Sequence, residues 1–231
     1  MMKTEKKTKN RWLSFLIDGI LSGLMLGVGG MVSLSSENRY MGAFLFSLGL
    51  FCIVQFRYGL FTGKVGYIVN REPSYILEVL ATLLANAVGT LISALLLRQT
   101  RFFTADVSGL DVSIEERVTA TVEGKIHDEP LSIFILAVFC GMLMFTAVEA
   151  NRACRAKGNF VGALFGVVMP VAVFIICGFN HCIADMFYYF FCGCPDIPAA
   201  LVYFLLAILG NAAGGMLIPA MKKLSNMPLE D

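Results

Sequence analysis

Charge is scarce in this sequence. Only 15% of its 231 residues are Asp, Glu, Lys or Arg, against about 25% in an ordinary soluble domain. Apolar residues supply 57%, more than one water-facing core can hide, and helices whose outer faces meet lipid explain the surplus. The net charge of +1 implies no polybasic or polyacidic partner. Positive residues sit in short end segments rather than on a face, so nucleic-acid binding is not expected. There is no P-loop signature (GxxxxGK followed by Ser or Thr), and no Ser-His-Asp set or carboxylate pair in a catalytic context, so no enzyme is expected. Most of the seven cysteines lie inside apolar runs, where Cys packs as a small hydrophobe. Cys192 and Cys194 flank one glycine but lack the CxxC-plus-partner spacing of a metal site, so neither metal nor cofactor is expected. The basic segment Met1 to Arg11 leads into an apolar run with no small-residue cleavage pattern and reads as a tail, not a signal peptide.

Long apolar runs are what the chain has instead. They cover Trp12–Leu34, Met41–Val69, Tyr75–Leu97, Leu131–Val148, Phe160–Cys192 and Ala199–Ala220. A helical span needs about 20 apolar residues, so the first, third, fourth and sixth runs each cross a bilayer once. The second is interrupted by Arg57, Gly63, Lys64 and Gly66, and the fifth around Gly178 to Asp185. The sequence therefore predicts an all-α membrane protein of six transmembrane helices, the second and fifth broken. The whole chain, 1–231, forms one transmembrane domain: a tail (1–11), a three-helix half (12–97), an outer loop (98–130), a second half (131–220) and a second tail (221–231). Lys3, Lys6, Lys7, Lys9, Arg11, Arg71, Arg152, Arg155, Lys157, Lys222 and Lys223 fall on one side. The long loop opposite is net acidic, with Asp106, Asp111, Glu115, Glu116, Glu123, Asp128 and Glu129. This positive-inside pattern puts both termini in the cytoplasm of a cell-membrane protein.

The halves repeat. Asn86-Ala87-Val88-Gly89 in the third run is echoed by Asn211-Ala212-Ala213-Gly214 in the sixth, and the two interruptions share that offset of about 120 residues. Three helices per half is odd, so the second half runs through the membrane inverted. Such repeats place a permeation or binding site near the midplane, where non-helical backbone must face protein or a water-filled cavity.

Among the two histidines, His181 lies beside the fifth run's break. An intramembrane His serves either as a helix-packing hydrogen-bond donor or as a proton or hydrogen-bond donor to a permeating anion, since imidazole titrates near pH 6.5. Lys64 and Asp185 hold equivalent positions in the two halves. An ion pair between them would offset an insertion cost of roughly 2.5–3.5 kcal/mol each; alternatively Lys64 snorkels to the cytoplasmic surface.

Taken together, Leu60-Phe61-Thr62-Gly63, the stretch Gly178-Phe179-Asn180-His181-Cys182-Ile183-Ala184-Asp185-Met186-Phe187, and Gly210-Asn211-Ala212-Ala213-Gly214-Gly215 resemble the formate–nitrite transporter family. Asn86 and Lys125 match further family positions, and the resemblance runs from Trp12 to Pro219. It implies an aquaporin-like protomer in a homopentamer, each with its own pore for formate, nitrite or hydrosulfide, passed with protons. It makes His181 the central pore residue with Thr62 and Asn211 near it, and Lys125 the outer attractor of the anion. Phe46, Leu50 and Phe174 would form the outer constriction, Leu60 and Phe61 the inner one. The family usually carries Asn where Lys64 and Asp185 stand, and Glu where Asn180 and Gly59 stand; the Asn of its fourth helix falls at Gly141. A neutral-solute channel and a non-transporting regulatory subunit stay open as alternatives, although no Asn-Pro-Ala box occurs.

Overall fold

A computed structural model of the chain describes residues 2–225 apart from 108, 110 and 111, with side chains from residue 12 onward. The basic side chains before Trp12, Asp111 of the acidic loop and the end of the second tail, 226–231, lie outside the described residues. Helices α1 (Met2–Ser35), α2 (Arg39–Gln55), the single turn α3 (Phe61–Lys64) with a 3-10 turn (Val65–Asn70), and α4 (Tyr75–Arg98) make the first half. Next come α5 (Ile114–Ile126), α6 (Pro130–Ala156), α7 (Phe160–Cys177), α8 (Cys182–Cys192) and α9 (Ile197–Leu224). The segment before Trp12 continues α1 as helix.

Among the described residues, five helices are long and apolar enough to cross a bilayer: α1 from Trp12, α4, α6, α7 and α9. The expected second span is α2, 17 residues long, followed by its break and by α3 with the 3-10 turn. The outward faces of α4, α6 and α9 carry Leu77, Leu84, Leu131 and Leu201, each more than 60% exposed. Apolar surface on that scale needs lipid or another subunit against it. The fifth run breaks over residues 178–181 only, so Asp185 sits inside the first turn of α8 rather than in the break.

Helix ends carry the expected chemistry. Asn38 caps α2 by accepting from the Tyr40 and Met41 amides, and Asn159 caps α7 through Gly162. Helix α5 was not anticipated from the polar loop, although its capping box is legible: Ser113 accepts from Glu116 N, and the Glu116 carboxylate accepts from Ser113 N. Both breaks begin with the same two-bond Schellman ending. Tyr58 N donates to Ile53 O (2.9 Å) and Arg57 N to Val54 O (3.3 Å); about 120 residues on, Phe179 N donates to Phe174 O (2.9 Å) and Gly178 N to Ile175 O (3.2 Å). The left-handed residue is Gly178 in one (φ 70°) and Arg57 in the other (φ 60°). Glycine takes that conformation freely, whereas arginine pays about 1–2 kcal/mol.

The halves interlock as an inverted repeat. Helix α1 packs on α2 and α4 as α6 packs on α7 and α9, and α2 lies against α7. The short pieces after the breaks cross over: α8 packs on α4, and the 3-10 turn on α9. Close approach is permitted by paired glycines. A Cβ at Gly23 would lie 2.4 Å from Asn86 O, and one at Gly141 2.2 Å from Asn211 O. Contact with backbone cannot be relieved by rotating a side chain, which explains glycine at 141. We expect Gly141→Ala to destabilise the protein by about 2–3 kcal/mol, read as a lowered unfolding midpoint in detergent. An unchanged midpoint would refute this account of the α6–α9 contact.

Candidate functional site

Two asparagines shape the site. Asn86 donates through Nδ2 to Gly19 O and Gly59 O (both 2.8 Å) and accepts from Phe61 N (2.8 Å). Asn211 repeats the pattern, donating to Ala137 O and Asn180 O (both 2.8 Å) and accepting from Cys182 N (2.9 Å). Each carboxamide therefore takes up one carbonyl and one amide of its half's break and ties them to a carbonyl inside α1 or α6. Asn211, expected near the pore, is fully engaged with backbone and acts by holding the break.

Between these clamps the breaks meet. His181 Nε2 lies 3.1 Å from Thr62 Oγ1, both residues being almost completely buried. His181 also caps α8, its Nδ1 accepting from Ala184 N at 3.2 Å. That bond requires an unprotonated Nδ1, so the neutral ring carries its hydrogen on Nε2 and donates it to Thr62. The ring of Phe174 lies 5.4 Å from that of His181 and meets Phe46 edge-on at 5.7 Å. Leu60 and Phe61 are buried. Leu50 lines the same cavity as Leu60 and packs in one buried cluster with Phe46 and Phe174, which do not line it.

Lys125, in the last turn of α5, reaches down to the second break. Its Nζ donates to Asn180 Oδ1 (2.8 Å), approaches Phe179 O (3.5 Å), and pairs with Asp185 at 3.3 Å. Tyr203 OH donates to Asp185 Oδ2 at 2.6 Å, and Asn180 Nδ2 donates to Ile133 O at 3.2 Å. The expected Lys64–Asp185 pair is thus not formed. Lys64 donates to Thr82 Oγ1 at 3.3 Å and lies 4.4 Å over the Phe15 ring. The physical reason is the inversion itself, which sends equivalent positions to opposite sides of the Thr62–His181 contact. Nothing in the sequence marked Tyr203; only its place on α9, beside α8, brings it to Asp185. Glu149 binds Arg152 (2.8 Å) and accepts from Tyr67 OH (2.7 Å).

On the side of Lys64 a cavity of about 790 Å³ opens toward the face where α9 ends. Leu50, Ile53, Leu60 and Val148 line it, with Lys64 and several arginines. On the other side, His127 follows α5 and bridges to Asp196, the cap of α9 (Nε2–Oδ2 3.0 Å), and to Glu123 (Nδ1–Oε2 3.1 Å). The hydrogen bond to Asp196 raises the His127 pKa above its usual 6.5 and lowers that of Asp196. Among the described residues no group of three or more His, Cys, Asp or Glu is placed to hold a metal ion.

Two interlocked, inverted helical halves meeting at a polar contact within an apolar shell define a multi-pass membrane channel or transporter. Residues 1–224 match the family described as Formate/nitrite transporter, and the chain belongs to that family. It is similar to "Formate channel FocA" of Haemophilus influenzae, 23% identical over 80% of this chain and 68% of that protein. It is also 23% identical to "Uncharacterized transporter YrhG" of Bacillus subtilis, over 91% of this chain and 84% of that one. Among solved structures it superposes on "Pentameric formate channel with formate bound" with a TM-score of 0.77 at 21% identity, covering 94% of this chain and 98% of that one. On "FNT family ion channel" the TM-score is 0.79 at 19% identity. These relatives are channels and a transporter, and the chain is not an enzyme.

Two outcomes follow from the geometry. Asp185→Asn strands Lys125 without its counter-ion and should cost about 3 kcal/mol, with Lys125→Met on top of it restoring more than half of the lost stability in detergent melts; additive losses would dissolve the pair. For His127, the folded pKa is raised, so its bridge is fully present below about pH 6.5 and is lost as pH rises through the elevated value. Its NMR titration midpoint should lie above 6.5 and fall back in Asp196→Asn.

Proposed function

We propose that each protomer forms a pore for small monovalent anions of the formate, nitrite and hydrosulfide class, coupled to protons, and that five protomers assemble around a common axis. The observation that carries this reading is the Thr62–His181 hydrogen bond where the two breaks meet. It is a buried polar contact beside the Phe174 ring, with Leu60 and Leu50 lining the cavity on the side of Lys64. The pentamer and the anion class rest on the relatives, among them the structure titled as a pentameric formate channel with formate bound. The arginine-bearing cavity faces the cytoplasm under the positive-inside rule, with both chain ends on that side.

A bare anion between apolar side chains would pay a large desolvation cost. Lys125, its charge balanced by Asp185, offers the anion an ammonium hydrogen bond on the outer side. As water thins, the anion's basicity rises, since burial disfavours the charged form of a carboxylate. With a proton taken from the external solution it becomes the neutral acid and passes in that form. His181 does not supply that proton from its neutral form, which would leave imidazolate. Its Nε2–H and the Thr62 hydroxyl offer hydrogen bonds that replace lost water, and protonation at Nδ1 would break the cap on α8.

Uptake by liposomes holding the full-length protein tests this, with formate, nitrite, hydrosulfide and glycerol as solutes. Anion uptake should slow about tenfold per unit as external pH rises above the acid's pKa, following its protonated fraction. A formate rate that ignores pH would overturn proton coupling. Passage of glycerol with no anion uptake would favour a neutral-solute channel, and no flux of any solute a non-transporting subunit.

A further inference from the structure

Arg57 occupies a place that its counterpart in the second half gives to glycine. Both helix endings impose a left-handed residue, φ 60° at Arg57 and 70° at Gly178. Gly178 satisfies that requirement without strain, and its ideal Cβ would meet nothing within 4 Å. The backbone therefore gives no reason for arginine at 57, where the side chain is strained yet exposed. Strain of this kind is retained where the side chain is used.

The Arg57 side chain lines the cavity of about 790 Å³ described above. Lys64, Arg71, Arg152 and Arg155 line it too, from α3, the link to α4 and the end of α6. No acidic residue is among the described residues that line it. Glu149 binds Arg152 from behind the wall, Arg71 lies over the Tyr75 ring, and Arg155 hydrogen-bonds Gln55. Tyr58, Tyr67, Tyr75 and Asn151 complete the polar surface. A topogenic excess of basic residues requires only that they lie on one face. It does not require convergence on one concavity, nor an arginine in a left-handed position. Converging cations in a concave site raise the local anion concentration, and guanidinium forks match phosphate oxygens in pairs. The volume lies within the roughly 300–1,000 Å³ of small-molecule sites and far exceeds that of a three-atom anion.

We propose that this cavity is a binding site for a phosphate-bearing anion with two or more negative charges, anchored by Arg57 and seated at the mouth of the pore. Occupancy there would close the route that Leu50 and Leu60 border. The plugging consequence rests on the pore reading of the preceding section; the binding does not. Phosphate could come from a soluble molecule or from an anionic lipid headgroup, and the two are separable.

The test uses the full-length protein in nanodiscs of phosphatidylcholine alone, with inorganic pyrophosphate as probe and calorimetry as readout. Binding should be submillimolar at physiological salt, weaken as salt rises, and exceed that of orthophosphate about tenfold. Arg57→Gly should weaken it about tenfold while its unliganded melting temperature stays equal or rises, because glycine removes the strain. Arg155→Gln should weaken it without that stabilisation. If nanodiscs with added phosphatidylglycerol lose pyrophosphate binding, the occupant is a lipid headgroup and the phosphate site stands. No binding in phosphatidylcholine, or equal affinity in Arg57→Gly, overturns the proposal. Liposome flux separates the readings: formate uptake without pyrophosphate binding leaves the pore and removes this site, and binding without uptake does the reverse.

Discussion

The architecture depends on how two interruptions of helix are kept inside a membrane. At that depth no solvent satisfies a free N–H or C=O, and each costs several kcal/mol if left alone. Asn86 and Asn211 solve this with one side chain per half, each bridging two carbonyls and one amide. Carboxamide is the one neutral side-chain group with two donors and an acceptor in a planar fork. A carboxylate offers no donor and a hydroxyl only one, so neither could complete the set. The glycines at 23 and 141 follow from the same constraint, because the helices carrying the two asparagines must come close enough to deliver them.

With the breaks secured, their side chains can be spent on chemistry. His181 caps α8 with one nitrogen and meets Thr62 with the other, so its tautomer is set by the backbone. Lys125 reaches the same break from outside the helical bundle. Its position is held by the end of α5, which His127 ties to the start of α9. The acid opposite Lys125 is Asp185, four residues past His181, and Asn180 supplies a neutral oxygen beside it. The Asn180 and Asp185 departures from the family pattern therefore belong to one cluster, in which the lysine's charge remains balanced.

Much of this was legible in the sequence because hydrophobic length and repeated Asn-Ala-x-Gly carry it directly. The broken runs and the inverted halves needed only periodicity and offset, and the approach of Thr62 to His181 came from the family resemblance. What was not legible involves contacts that periodicity does not encode. Equivalence of Lys64 and Asp185 under the repeat suggested a pair, but equivalence by inversion is a reason for separation, and Lys64 instead meets Thr82 and Phe15. Tyr203 could be reached only by packing α9 on α8. Leu50 lies one helical turn beyond Phe46, and that turn brings it also to the arginine-lined cavity, which Phe46 does not reach. Helix α5 was hidden by its polar composition, although Ser113 and Glu116 announced its start.

An inverted repeat also supplies an internal control. Where both halves meet the same backbone demand with the same residue type, as at Asn86 and Asn211, the demand itself explains the residue. Where they differ, the difference must answer to surroundings the halves do not share. Arg57 and Gly178 differ in this way: one Schellman ending, two residues, one of them strained. The surroundings differ as well, since a cation-lined cavity lies beside Arg57, and Lys125 with its counter-ion lies by the second break. One break thus has beside it a lysine paired with Asp185, and the other a cavity lined by arginines and Lys64.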